Sequence, residues 1–211
     1  MNYELWFPTP IWWEDTTDID IPPILNLCYR LKAQEPKGRK LSNQGGWQSK
    51  DFEANTYSEL KSLEQKILVQ AENCIRDYGY DENDCNIGIG NIWININGQY
   101  NANSVHIHDS SFISGVFYVK ARPGQGAINL YKSYSQDYIV ASQATIKNYT
   151  QISASACSYQ PYTGRLIMFP GYLPHGVEHN ELDEDRISIS FNVKLLRTID
   201  GLYWTKNIKR N

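Results

Sequence analysis

The chain has 211 residues, of which 41% are hydrophobic and 13% aromatic, and its formal net charge at pH 7 is -3. This composition excludes an intrinsically disordered protein and provides enough apolar residues for one sizeable core. The small negative charge gives no general attraction to nucleic acid or to anionic membranes, so neither is expected as a partner.

The cysteines and the first residues bear on the cellular compartment. Cys28, Cys74, Cys85 and Cys157 are far apart and form no C-x-x-C pair, so we expect reduced thiols. The N-terminal residues lack the basic start and apolar run of a signal peptide, and no apolar run is long enough to span a bilayer. These observations predict a cytoplasmic protein, and the sequence is compatible with a homodimer.

The first 85 residues are predicted to form an edge strand and two helices that pack on a larger β structure. Residues 3–13 are apolar but contain Pro8 and Pro10, which are tolerated only in edge strands. Helical spacing of apolar residues predicts helices over residues 21–34 and 57–78, the second one after a capping box that begins at Thr56. Residues 35–54 are predicted to be a polar loop, either a simple series of turns or a rim or lid over a site.

From residue 86 the apolar period changes to two, which is typical of strands. Asn86 to Asn97 reads as a long strand, and Asn97-Gly98 is a strong tight-turn signal. Further short strands are predicted at residues 104–108, 112–120, 127–131, 151–159, 165–169 and 186–196. We therefore predict a single, mainly β domain over residues 1–211. Its core, residues 86–197, is a double-stranded β-helix (jelly roll) flanked by the N-terminal helices.

The four histidines occur as two tight pairs, His106/His108 and His175/His179. Residues i and i+2 of a strand point to the same face, so an extended segment presents the first two imidazoles side by side. A second strand or loop that brings His175 opposite them completes the minimum set of ligands for a first-row metal ion. His179 is expected to be exposed or to lie behind the ligands.

Arg186 and Ser188 share one face of the last predicted strand, eleven and thirteen residues after His175. A guanidinium forms a planar, bidentate clamp for a carboxylate. Inside a barrel the charge of Arg186 needs an anionic partner, either a protein carboxylate or a bound ligand.

The chain resembles the Fe(II)/2-oxoglutarate-dependent oxygenases, in particular a phage and bacterial group whose members begin with a Phe-Pro-Thr-Pro-type segment. The matching segments occur in the same order along nearly the whole chain. They are Phe7-Pro8-Thr9-Pro10, Ser42-Asn43-x-Gly45-Gly46-Trp47-Gln48-Ser49, Trp93-x-Asn95, His106-x-His108, Ser114-Gly115-Val116-Phe117-Tyr118, Gly164-x4-Phe169-Pro170-x4-His175 and Arg186-Ile187-Ser188-x-Ser190-Phe191-Asn192.

The resemblance implies a double-stranded β-helix with Fe(II) near one open end. It implies that 2-oxoglutarate chelates the iron as cosubstrate and that Arg186, helped by Ser188, binds its distal carboxylate. It further implies that O2 is activated, 2-oxoglutarate is decarboxylated and a C–H bond of a prime substrate is oxidised. The sequence does not identify that substrate, and no catalytic residue is expected beyond the metal site.

Three further residues are candidates for the wall of the cosubstrate pocket. Asn95, Tyr118 and Tyr131 each lie on a predicted strand next to the metal region. The alternative for each is a buried polar residue with a local hydrogen bond.

The metal ligands depart from the usual pattern of the superfamily, which supplies His-x-Asp/Glu and a distal histidine. Here His108 occupies the position of the carboxylate, and the acid is the next residue, Asp109. Strand alternation points Asp109 away from His106 unless the strand is bulged. We therefore predict that His106, His108 and His175 bind the metal, with Asp109 either orienting an imidazole or acting as an alternative ligand.

Two alternatives use the same residues differently. His106-x-His108 with Gly164, Pro170 and His175 also resembles the two motifs of cupin dioxygenases and isomerases. The glutamate that cupins often place soon after the pair is missing, and a cupin does not require Arg186-x-Ser188. A metal-free jelly roll that binds sugars or peptides would suit the 6 Trp and 15 Tyr, but it leaves the histidine pattern unexplained.

Overall fold

The computed structural model describes residues 2, 4–5, 7–81, 85–133 and 147–197, without the side chains of residues 196 and 197. Its helices are α1 (Ile21–Gln34) and α2 (Lys61–Asp77), the second preceded by a 3-10 turn at Ser58–Leu60. Its strands are β1 (Trp12–Asp15), β2 (Asn43–Gln44), β3 (Trp47–Gln48), β4 (Cys85–Asn97), β5 (Ala102–His106), β6 (Ile113–Lys120), β7 (Ile128–Tyr131), β8 (Ala156–Tyr159), β9 (Arg165–Pro170), β10 (His175–Val177) and β11 (Arg186–Arg197).

The strands form two antiparallel sheets. The larger has the order β1-β9-β6-β11-β4-β3, and the smaller has the order β2-β5-β10-β7-β8. In both sheets most adjacent strands come from distant parts of the chain, as in a jelly roll; examples are β9 beside β6 and β10 beside β5. The predicted mainly β, double-stranded β-helix fold is confirmed.

The main hydrophobic core lies between the two helices and the larger sheet. It combines Ile24 and Leu27 of α1 and Ile67 of α2 with alternate residues of β4, β6 and β11. On β11 these are the odd-numbered residues Ile187, Ile189, Phe191 and Val193, all fully buried. The helices therefore cover one face of the larger sheet and leave the other face free to meet the smaller sheet.

A second, smaller cluster joins the two sheets. The larger sheet contributes Val116 and Tyr118 of β6 and Phe169 of β9, and the smaller sheet contributes Ile128 and Leu130 of β7. Val116 and Tyr118 alternate with Phe117 and Val119, which pack in the main core. The pleat of β6 thus divides its side chains between the helices and the barrel interior.

Two local predictions are corrected by the structure. Within the described residues of the predicted 3–13 strand, regular strand structure begins only at Trp12, because Pro8 and Pro10 cannot donate to a ladder. The capping box at Thr56 does not form: Thr56 Oγ1 donates to the Glu53 carbonyl, and a 3-10 turn delays the start of α2 to Lys61. The helix ends at Asp77, close to the predicted end at residue 78, and Gly79 follows with a φ of +74° that suits a glycine after a helix.

Most of the connection between β7 and β8, residues 134–146, lies outside the described residues. Within the part of the chain that the structure describes, no helix is long and apolar enough to cross a membrane.

The packing of α2 on the larger sheet predicts a large contrast between two neighbouring substitutions. Ile67→Ala removes a side chain that is fully buried, whereas Val69→Ala removes one that is 53% exposed. We expect the first change to lower the free energy of unfolding by about 2–5 kcal/mol and the second to change it by less than about 0.5 kcal/mol. Urea unfolding followed by circular dichroism measures both, and equal losses would contradict this packing.

Candidate metal centre

Three of the four histidines meet at the open end of the barrel. β5 and β10 are neighbours in the smaller sheet, and their register pairs His106 directly with His175. His108 lies two residues beyond the end of β5, where the His108 amide donates to the Gly171 carbonyl at 2.8 Å. The pairing of two strands far apart in sequence therefore brings the predicted ligands together.

The three imidazoles are arranged tightly enough to share one ion. One ring nitrogen from each of His106, His108 and His175 lies within 4.8 Å of the others. The ring centroids are 4.3 Å apart for His106 and His175 and 5.0 Å apart for each of the other two pairs.

The Nδ1 atom of each ring is occupied by a hydrogen bond to an oxygen. His106 Nδ1 lies 2.8 Å from the Ser104 carbonyl, and His175 Nδ1 lies 2.8 Å from the Leu173 carbonyl. His108 Nδ1 lies 2.7 Å from Oδ1 of Asn192. Because these oxygens accept, Nδ1 carries the proton and Nε2 presents its lone pair to the shared centre.

Burial keeps the three rings neutral. It lowers the pKa of all three histidines, and neighbouring histidines lower it further for His108 and His175. For His175 the pKa falls to about 3. Neutral imidazole is the form that binds a metal ion, so the site is prepared for one at physiological pH.

His108 Nε2 is buried and has no hydrogen-bond partner among the described residues. An unsatisfied buried nitrogen is costly unless something absent from the protein chain completes it. A divalent cation bound by three Nε2 atoms satisfies this nitrogen.

Arg186 lies in the same cavity and is only 3% exposed. Its Nη1 donates to the carbonyls of Gln125, Gly126 and Glu178. Among the described residues, no carboxylate forms an ion pair with Arg186. The Nε and Nη2 atoms of Arg186 make no hydrogen bond to any described residue. Burial lowers the pKa of Arg186, as expected for a cation without a countercharge. Of the two partners that the sequence left open, a protein carboxylate is absent from this described region.

The cavity has a volume of about 50 Å³ and a mixed polar and apolar wall. The cavity wall includes, as predicted, Asn95, Tyr118, Ser188 and the three histidines. Burial raises the pKa of Tyr118 to about 12, so the phenol remains a neutral donor. Tyr131, also predicted to line it, lies at the end of β7 outside the cavity wall.

Asp109 and His179 lie close in sequence to the three converging histidines but do not join them. Asp109 is exposed, belongs to no group of convergent ligands and affects His108 only through its charge. His179 is exposed and lines a different surface cavity.

The structure adds residues that the sequence did not single out as functional. Trp93 stacks on His108 with the ring centroids 5.5 Å apart, and Ser42 extends the cavity wall from the 35–54 loop. Asn192 holds the His108 ring and also accepts a hydrogen bond from Ser114. The signal for Asn192 was its place on the polar face of β11, two positions after Ser190.

Comparison with known families decides between the interpretations of the histidines. Residues 91–192 match the family described as "Putative 2OG-Fe(II) oxygenase", and this range contains the three histidines and Arg186. The match covers just under half of the chain and indicates an Fe(II)- and 2-oxoglutarate-dependent oxygenase. Its cofactors are therefore Fe(II) and 2-oxoglutarate, with O2 as the oxidant. No curated protein matches the chain.

Solved structures of low identity share the fold of this oxygenase. A Pseudomonas putida prolyl-4-hydroxylase is 14% identical with a TM-score of 0.58, covering 87% of this chain and 92% of its own. A viral collagen prolyl hydroxylase from Paramecium Bursaria Chlorella virus-1 is 13% identical with a TM-score of 0.57, covering 87% and 94%. HygX from Streptomyces hygroscopicus, solved with nickel and 2-oxoglutarate, is 10% identical with a TM-score of 0.57, covering 88% and 83%.

The convergence of the three rings predicts a sharp difference between the two histidines of the second pair. His175→Ala should abolish stoichiometric binding of a divalent metal, because it removes one of three nitrogens, while the fold is retained. His179→Ala is the matched control and should bind as much metal as the wild type. Elemental analysis of untagged protein after anaerobic loading with Fe(II) measures both, and full loading of His175→Ala would contradict the assignment.

Proposed function

We propose that this oxygenase holds Fe(II) through Nε2 of His106, His108 and His175 and catalyses a hydroxylase-type oxidation of its prime substrate. The observation that carries the proposal is that three neutral imidazoles and one buried arginine line the same cavity, and that the arginine has no carboxylate partner among the described residues. When bound, the iron supplies O2 activation coupled to decarboxylation of 2-oxoglutarate. The protein's own residues hold the reactants and keep bulk water away.

Arg186 is proposed to bind the distal carboxylate of 2-oxoglutarate. Its Nη1 is fixed by three backbone carbonyls, which supports a role as a pre-oriented clamp with Nε and Nη2 directed to a ligand. A dianionic cosubstrate supplies the countercharge that the buried guanidinium lacks. The charge-assisted pair is the reason for choosing arginine over a neutral donor at this position.

Ser188, Tyr118 and Asn95 are proposed to complete the cosubstrate pocket. Ser188 is the next residue on the cavity face of β11 after Arg186, and the neutral Tyr118 hydroxyl is a donor in the same cavity. Asn95 donates to Ser190, and its buried Oδ1 has no partner among the described residues. Tyr131 is left out because it does not line this cavity.

The three-histidine assignment leaves Asp109 as an exposed charge beside the site. Asn192, not Asp109, accepts the hydrogen bond from His108 Nδ1. This supports a metal held by neutral ligands alone.

We further propose that residues 1–85 pack on the barrel of residues 86–197 as parts of one catalytic domain that acts in the cytoplasm. The buried free thiols Cys28 and Cys74 support a reducing compartment, and burial raises the pKa of each to about 12, so neither is a reactive thiolate. Assembly as a homodimer is a separate hypothesis that sedimentation equilibrium tests.

The clamp predicts a graded loss of 2-oxoglutarate affinity at one residue. Arg186→Lys keeps the positive charge but loses the planar fork, so 2-oxoglutarate should bind roughly ten- to a hundred-fold more weakly. Arg186→Ala should weaken it more, while both variants still bind metal. The measurement is an anaerobic titration of Fe(II)-loaded protein with 2-oxoglutarate, followed by the visible absorption of the chelate and by calorimetry.

Arg122→Lys is the matched control for this titration. Arg122 is exposed and paired with Glu184, outside the cavity, so its replacement should leave 2-oxoglutarate affinity unchanged. Wild-type protein that binds Fe(II) but gives neither an absorption band nor heat at millimolar 2-oxoglutarate would rule out the proposed clamp.

A further inference from the structure

Two of the three proposed ligands are fixed by their own strands, and the third is not. His106 and His175 each bond through Nδ1 to the backbone carbonyl two residues earlier, Ser104 and Leu173. His108 has no such backbone partner and depends on the Asn192 side chain, 84 positions away in the chain. Its orientation and its tautomer are therefore decided by side chains.

The side chains behind His108 form a continuous row of hydrogen bonds to the surface. Asn192 Nδ2 donates to Asn91 Oδ1 at 2.9 Å. Asn91 Nδ2 donates to the Asp51 carboxylate at 3.2 Å. Asp51 itself forms an ion pair with Arg39 at 2.8 Å, where both side chains are more than a third exposed.

This row has only one consistent direction. An ionised carboxylate can only accept, so Asn91 must direct its NH2 group at Asp51 and its oxygen at Asn192. Asn192 must then direct its NH2 group at Asn91 and its oxygen at His108. An amide oxygen also only accepts, so His108 Nδ1 must carry the proton and Nε2 must be free for a metal.

We propose that Asp51, Asn91 and Asn192 form a relay of positioning residues that selects the metal-binding tautomer of His108. The proposal rests on the metal centre proposed above. None of the three proposed ligands is a carboxylate. The relay nevertheless connects His108 to the carboxylate of Asp51 through three successive hydrogen bonds. Ser114 donates to the same Asn192 oxygen at 2.7 Å and helps to fix it, but as a donor it does not select the direction.

The test reads the tautomer directly, in protein without metal. Long-range 1H–15N NMR of 15N-histidine-labelled protein distinguishes a protonated from an unprotonated ring nitrogen. In the wild type, His108 should be the Nδ1–H tautomer. Asn192→Asp keeps an acceptor and should preserve it, whereas Asn192→Leu has similar volume but no acceptor, so the Nε2–H tautomer should become the major form.

The remote end of the relay is tested by Asp51→Ala. Because Asp51 is exposed, this variant should fold, and the Nε2–H fraction of His108 should rise measurably. Glu184→Ala is the matched control, since Glu184 is also exposed and ion-paired with an arginine but lies outside the relay. It should leave the His108 signals unchanged.

Metal affinity provides the second readout, measured by anaerobic Co(II) titration of the same variants. Asn192→Leu should weaken Co(II) binding about 10–100-fold, as loss of a partner behind a ligand typically does. Asp51→Ala should weaken it only a few-fold, and Asn192→Asp should bind at least as tightly as the wild type. Histidine tautomers that are unchanged in Asn192→Leu or in Asp51→Ala would overturn the relay.

The two proposals fail separately. Wild-type protein that shows the Nδ1–H tautomer of His108 and loses it in Asn192→Leu, but binds no Co(II), would support the relay and contradict the metal centre. Normal Co(II) binding in every variant, with unchanged tautomers, would contradict the relay and leave the metal centre intact.

Discussion

The alternation of side chains along β11 is the constraint on which the rest of the structure depends. This strand lies between β4 and β6 in the larger sheet, so both of its edges are hydrogen-bonded. One face carries Ile187, Ile189, Phe191 and Val193, which fill the core beneath the helices. On the other face Arg186, Ser188 and Ser190 line the cavity. A shift in register by one residue would place a guanidinium in the hydrophobic core and an isoleucine in the site. Stability and function therefore depend on the same register.

The electrostatics of the cavity follow from what this strand places there. The three imidazoles are neutral because burial lowers the pKa of each, and the one formal charge in the described wall is Arg186. In the proposed three-histidine site a divalent cation would add two positive charges without a carboxylate ligand to offset them. The dianion 2-oxoglutarate would then supply the countercharge for both cations. Such a site would depend on its cosubstrate for charge balance more than one with a carboxylate in its triad.

The three histidines proposed as metal ligands are held in place by different kinds of contact. His106 and His175 are paired across two strands and bonded to their own backbone, so the sheet itself fixes them. His108 lies beyond the end of β5 and is held by Trp93 on one face and Asn192 at Nδ1. His108 is the residue that replaces the usual carboxylate, and it is also the histidine whose orientation depends most on other side chains.

The sequence by itself determined the features that depend on local periodicity and residue type. Helical spacing placed α1 over the residues that the structure assigns to it, and alternation separated the polar and apolar faces of β4 and β11 before any pairing was known. The H-x-H spacing identified two of the three rings that converge. Each of these signals is carried by neighbours in the chain, within a turn of helix or two positions of a strand.

Only the tertiary structure decided which distant residues meet. Three contacts join segments that no local pattern connects. They are the pairing of His106 with His175, the hydrogen bond from His108 to Asn192, and the hydrogen bonds from Asn192 through Asn91 to Asp51. Tyr131 was a reasonable candidate by strand position, but its place at the end of β7 keeps it out of the cavity wall. Sheet order and register set these contacts, and both are properties of the whole barrel.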